Sequence, residues 1–170
     1  LSSSSAASDV YKRQDEYRWL LVRALLDHEG AAEAAALIDE KLRGNGKDVP
    51  VVVLLRCEAD LRLGKPADAS VRLKELLATR PGDPEVEKPV LAFAQEKALD
   101  EIVETILRAR VSLQPEKAEA VFELATHFKS RRNLEAMDKA LSTFVSEAPS
   151  AEAKQRRLND VAAFLMVGSD

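Results

Sequence analysis

The stretch AEAVFELATHFKSRRNLEAMDKALSTFVSEAP, residues 118–149, carries the strongest structural signal in the chain. Apolar side chains recur in each half of it at the i, i+3 or i+4, i+7 spacing of a single helix face. We predict two amphipathic helices, and because neither can bury its apolar stripe alone, each must pack on its neighbours. The apolar residues are Val121, Leu124, Ala125 and Phe128 in the first half, then Leu134, Met137, Leu141 and Val145 in the second.

A period of 34 residues runs through the chain, because Pro81, Pro115 and Pro149 stand 34 residues apart and each follows an apolar helical stretch. Proline lacks the amide hydrogen and clashes with the preceding turn, so it ends a helix. We interpret the three prolines as boundaries between copies of a helix-turn-helix unit. Three columns align in this register: Trp19, Val53 and Val121, with Glu87 as the exception; Gly30 and Gly64; and Ala35, Ala69, Val103 and Met137.

In this register the chain resembles the tetratricopeptide repeat family. The matching residues are Trp19, Gly30 and Ala35 in the first copy, Gly64, Ala69 and Pro81 in the second, and Leu124, Ala125, Phe128 and Pro149 in the fourth. The resemblance implies an all-α fold: a right-handed α-solenoid of antiparallel helix pairs, with about four repeats and a terminal helix. The chain departs from the family pattern at Arg23 and Leu91, where a small residue is preferred, at Asp60, where an aromatic is usual, and at Lys88 and Pro89.

We predict helices over residues 17–28, 31–43, 50–63, 67–79, 85–97, 99–113, 117–130, 134–147 and 152–167. One segment also fits another structure, since apolar and charged residues alternate from Leu55 to Leu63 as in a strand. A helix is favoured there because Arg56 with Asp60, and Glu58 with Arg62, have the i, i+4 spacing of helical ion pairs.

The two ends of the chain need separate treatment. Residues 4–14 resemble, residue for residue, an in-frame translation of a transposase adaptor used in sequencing-library preparation. We predict that residues 1–14 are disordered, and that the repeat domain spans 15–170 and is truncated at one or both ends. We expect the last helix to be either a cap or, as we favour, the edge of a longer array. Its inward residues should be Leu158, Val161, Ala162 and Leu165, and its outward residues Gln155, Arg156, Arg157 and Asp160.

Composition excludes some classes of protein. The net charge is −4, and removing Asp9, Lys12 and Arg13 with the adaptor-like segment leaves 23 basic and 28 acidic residues. This acidity argues against general nucleic-acid binding, which requires a basic face. The apolar runs are too short to span a membrane. The single cysteine, Cys57, favours a reducing compartment, although a signal lost with the N-terminus would leave localisation open.

We predict no catalytic centre, cofactor or metal site. His28 and His127 each stand alone on a helix, Cys57 lies in the small-residue column that packs against the paired helix, and no Cys/His group has zinc spacing. Residues 44–47 contain two glycines and a lysine, but their spacing is wrong for a phosphate-binding loop. The basic residues 129–132 are expected to complement a helix C-terminus.

The family resemblance implies a protein-interaction scaffold, whose first helices line a groove for a peptide or a partner helix. Phe122 is the expected anchor, because aromatic side chains dominate binding energies at interfaces. A clamp for a C-terminal carboxylate is not expected, because Leu20 and Ala24 replace the family's Lys and Asn. The alternative is a helical accessory segment of a larger enzyme. The groove candidates are Leu20, Ala24 and Asp27; Leu54, Leu55, Glu58 and Arg62; Lys88, Ala92 and Gln95; and Phe122, Glu123, Thr126 and Lys129.

Overall fold

The computed structural model describes residues 19–42 and 49–167, and the regular structure within these ranges is entirely α-helical. Helix α1 is described over residues 19–27. Helices α2 to α9 span Ala31–Leu42, Pro50–Arg62, Pro66–Thr79, Pro84–Glu96, Asp100–Leu113, Ala118–Ser130, Leu134–Ser146 and Ala151–Val167. The all-α prediction is confirmed, and the ends of α2 to α9 differ from the predicted ones by no more than one residue.

Prolines mark the helix boundaries in two ways. Pro50, Pro66 and Pro84 occupy the first position of their helices, where the missing amide hydrogen costs nothing. The three prolines that define the 34-residue period lie in the turns that follow α4, α6 and α8, as predicted. Pro89 is the exception, because it lies inside α5 and removes one hydrogen bond from that helix.

The turn that follows three of the first helices has a repeated backbone geometry. Gly64, Ala98 and Arg132 share one column of the repeat, and all three have positive φ angles, of 71°, 53° and 58°. The residue after two of them closes the helix end, since the amide of Lys65 donates to Asp60 O at 2.8 Å and that of Asn133 donates to Phe128 O at 2.9 Å. The turn therefore persists in copies that have lost the glycine.

The chain divides after Glu96 into two compact units. In the first unit, α2 and α4 pack against α3, and α5 packs against both α3 and α4. Its core joins α1, α2 and α3 through Val22, Leu26, Ala31, Ala34, Ala35, Ile38, Val52, Leu55 and Ala59. The short turn between α3 and α4 makes that pair antiparallel.

In the second unit, α7 packs against α6 and α8, and α9 packs against α8 and α7. Helices α7 and α8 form a second antiparallel pair. The core of this pair contains Val121, Ala125, Leu141 and Phe144, with Phe122, Met137, Val161 and Phe164 packed around them. The best-preserved copy of the sequence repeat is thus a helix hairpin, as predicted.

The predicted inward face of α9 was largely wrong. Leu158 and Leu165 are 44% and 45% exposed and Ala162 is exposed, whereas Arg157, predicted outward, is only 6% exposed. Arg157 turns inward because its Nη1 donates to Phe144 O at 2.6 Å and its Nη2 to Glu116 at 2.8 Å, while its guanidinium lies 4.4 Å from the centre of the Phe144 ring. Val161 is half-buried and faces the core as expected.

The alternating segment of residues 55–63 is helical as far as Arg62, as predicted. Both expected charge pairs form: Arg56 with Asp60, and Arg62 with Glu58 at 2.9 Å. The alternation does not correspond to two sides of this helix, since the charged Arg56 and Asp60 are buried along with Leu55, Cys57 and Ala59.

Candidate functional site

Each first helix of the repeat leaves one row of side chains uncovered, and most of the groove candidates lie in these rows. In the first unit we call the uncovered rows on α1, α3 and α5 the open stripe. The exposed members on α1 and α5 are Leu20, Ala24, Asp27, Lys88, Ala92 and Gln95; α3 contributes the half-buried Leu54 and Glu58 and the exposed Arg62. Because α3 packs against α5 and shares a core with α1, the three rows belong to neighbouring helices.

Aliphatic groups are concentrated at the α1 and α3 end of the open stripe. Leu20 is 66% exposed and Val51, three residues before the half-buried Leu54, is 56% exposed. Sequence analysis missed Val51, although its i, i+3 relation to Leu54 places it on the same helix face. Leu55, also expected in the groove, is instead 8% exposed and belongs to the core. Val51 thus replaces Leu55 in the candidate set.

Charged members of the open stripe lie beside these aliphatic groups. Arg62 donates from Nε to Glu58 at 2.9 Å and from Nη1 to Leu26 O, a carbonyl in the last turn of α1. Arg62 therefore closes the end of α1 as well as presenting charge at the surface, which ties the row on α3 to the row on α1.

The candidates on α7 have different surroundings. Phe122 is half-buried against Phe144 and Phe164, and the carboxylate of Glu123 accepts a hydrogen bond from Arg110 of α6 at 2.6 Å. Thr126 and Lys129 are exposed. Part of the surface of Phe122 that was expected to anchor a partner is thus covered by the protein's own helices.

The side chains considered for catalysis lie in unlike environments. His28 is exposed in the turn after α1, and His127 is half-buried with its ring 5.9 Å from that of Phe128. Cys57 is fully buried and its thiol donates to Ala69 O of α4 at 3.6 Å. Burial, and secondarily the charge of Asp60, raises the pKa of this thiol to about 12, so it stays protonated at neutral pH.

Other predicted features can be located in the same way. The basic residues 129–132 lie at the end of α7, where Arg131 pairs with Asp100, while residues 44–47 fall outside the described ranges. No group of His, Cys, Asp and Glu side chains in the described ranges has the geometry of a metal site. No helix within those same ranges is long and apolar enough to cross a membrane.

Comparison with known proteins gives a distant structural likeness and no family. No protein-family model and no curated protein matches the chain. A solved structure titled "MamA RS-1 ArsTM double mutant" is similar over 91% of this chain and 97% of its own, with 17% sequence identity and a TM-score of 0.45. At this TM-score the likeness supports neither a family nor a function. The all-α fold follows from the helix boundaries and packing of the chain itself.

Proposed function

We propose that this protein is a tetratricopeptide-type scaffold that binds a peptide or partner helix along the open stripe of its first unit. The observation that carries the proposal is the exposure of Leu20 on α1 and Val51 on α3, together with the half-buried Leu54, which stands one repeat after Leu20. Single exposed aliphatic residues are ordinary, but here they recur on two neighbouring first helices. The role is binding without catalysis.

The chemistry of the surface favours an amphipathic partner. Aliphatic side chains at one end can receive the apolar face of a helix, at spacings of three and four residues. Glu58, Arg62 and Lys88 flank them with both signs of charge, which suits a partner that carries charges beside its apolar face. Burial of one exposed aliphatic side chain contributes about 1.5 kcal/mol, so a few such contacts give modest affinity.

A peptide-display selection followed by calorimetry tests this proposal. Helical and extended peptides would be selected on the intact protein, and the dissociation constant of the best one measured for Leu20→Asp and Val51→Asp variants. We expect each substitution to weaken binding by about tenfold or more, because it places a charge against the apolar face of the peptide.

Val71→Asp is the matched control, since Val71 is a 53% exposed aliphatic residue on the second helix α4. Its affinity should equal that of the unmodified protein. Loss of binding in Val71→Asp, with full binding in both open-stripe variants, would place the site on the second helices and refute the proposal. Phe122→Ala is a less informative test, because its ring also packs inside the second unit.

A further inference from the structure

A charged residue occupies the centre of the first unit. Asp60 is 1% exposed, in the repeat column where the other first helices have Leu26, Ala94 and Phe128. A buried carboxylate without partners would cost several kcal/mol. Asp60 has two partners, because Arg56 Nη1 donates to its Oδ1, and Arg72 Nε donates to its Oδ2 at 2.9 Å.

Arg56 extends these contacts to the preceding helix pair. Arg56 is 8% exposed, and its guanidinium donates two hydrogen bonds to the carboxylate of Asp39 on α2, from Nε at 2.7 Å and from Nη2 at 3.3 Å. Burial lowers the pKa of Arg56, but the hydrogen bonds with Asp39 and Asp60 outweigh it, so the net shift is upward. We call Asp39, Arg56, Asp60 and Arg72 the ionic cluster; its formal charges cancel, and it joins α2, α3 and α4.

The geometry of the ionic cluster differs from that of the surrounding packing. Aliphatic contacts are non-directional, so they define the angle between two helix pairs less sharply than hydrogen bonds do. A guanidinium that makes two parallel bonds to a carboxylate fixes both distance and angle. Asp39 is the only member from the first pair, and its bonds to Arg56 are therefore the directional link between pairs within this cluster.

We propose that the ionic cluster is an orientation lock that fixes the first helix pair on the second, without adding net stability. Desolvation of the buried Arg56 and Asp60 offsets the attraction among the four groups, so apolar residues of similar size can be as stable in such a place. What apolar replacements lack is directionality. A consequence that rests on the proposed function is that the lock sets the spacing between the open-stripe rows of α1 and α3.

Spin-label distance measurements test the lock without any binding partner. Labels would be attached to Glu33→Cys on α2 and Glu75→Cys on α4, both exposed positions, while the buried native Cys57 stays unreactive. We expect a narrow distance distribution in the labelled protein and a clearly broader one after Asp39→Ala, which removes both acceptor oxygens and so the link that the ionic cluster makes between the pairs. Glu40→Ala, at an exposed neighbouring position on α2, is the matched control and should leave the width unchanged.

The claim about stability needs two further variants. Asp60→Asn leaves two arginines undercompensated and should lower the thermal midpoint by roughly 10 °C. The triple variant Arg56→Met, Asp60→Leu and Arg72→Met should have a midpoint no lower than that of the unmodified protein, yet a broad distance distribution. An unchanged width in Asp39→Ala or in the triple variant would overturn the orientation lock. A midpoint of the triple variant well below the original would overturn the claim that the cluster adds no net stability.

Discussion

The rings of Phe122 and Phe164 lie parallel, with centroids 4.6 Å apart and an angle of 6° between their planes. Phe122 also meets Phe144 edge-on at 6.4 Å. Aromatic pairs in these geometries stabilise more than their buried area alone. The residue that sequence analysis selected as an anchor for a partner is therefore also a packing residue that holds α9 against α7.

Phe164→Ala should loosen α9 while leaving the first unit intact. Removal of the ring takes away the stacking contact and part of the apolar packing, at a cost of about 1–2 kcal/mol. Hydrogen exchange measured by mass spectrometry should show α9 amides exchanging about tenfold faster or more. Met166→Ala, at a 76% exposed position on the same helix, should have no such effect. Equal exchange in the two variants would mean that the stack does not hold α9.

Arg157→Ala should destabilise the second unit, in contrast to its neighbour Arg156→Ala. The buried Arg157 donates to a carbonyl in the last turn of α8 and pairs with Glu116, so its loss should cost about 2 kcal/mol. Arg156 is exposed, and its replacement should be neutral within about 0.5 kcal/mol. Urea unfolding followed by circular dichroism distinguishes them. If Arg157→Ala leaves the free energy of unfolding unchanged, Arg157 faces outward, as the sequence predicted, and the inward contacts do not hold.

The helix ends could be predicted because their signals are local. A proline at the first position of a helix or in a turn lies within a few residues of the helix end that it determines. The 3.6-residue periodicity is likewise a property of neighbouring residues. The inward face of α9 could not be predicted in this way, because it depends on Phe144 O and Glu116, which lie 13 and 41 residues away in sequence. The expectation that an arginine lies at the surface fails when groups distant in sequence accept hydrogen bonds from its guanidinium, as Phe144 O and Glu116 do for Arg157.

The turn after α7 offers a test of the repeated backbone geometry. Arg132 adopts a positive φ of 58°, a conformation that strains a residue with a Cβ, so Arg132→Gly should raise the free energy of unfolding by up to about 1 kcal/mol. At the same repeat position, Gly64→Ala should lower it by a similar amount, although a Cβ there would meet no atom within 4 Å. Chemical denaturation measures both. Changes of the same sign in the two variants would contradict the shared turn.

Cys57 should not react with thiol reagents at pH 8 until the first unit unfolds, because its pKa of about 12 leaves almost no thiolate. The pKa of the thiol is higher in the folded than in the unfolded protein. The stability that comes from burying the protonated thiol is therefore fully present below about pH 9 and is lost as the pH rises toward 12. Cys57→Ala should remove this part of the alkaline decline, measured as the difference between the two stability curves. Rapid labelling of the native protein at pH 8 would show that the thiol is accessible.

The candidate surface was predictable only in outline. The repeat register placed most candidates at uncovered positions, because the same column stays uncovered on successive helices. The register could not show that Glu123 meets Arg110 or that Phe164 covers Phe122, since those contacts involve particular side chains on neighbouring helices. It also included the buried Leu55 together with Leu54, because these two residues are adjacent and only packing decides which one faces the core.

Amide chemical shifts in a peptide titration test the central claim most directly. With a peptide selected on the intact protein, we predict that the largest shifts occur at Leu20, Val51, Leu54 and their neighbours along α1, α3 and α5, and that they saturate together. Shifts confined to the second helices α2 and α4, around Val71 for example, would contradict the assignment of the open stripe as the binding surface.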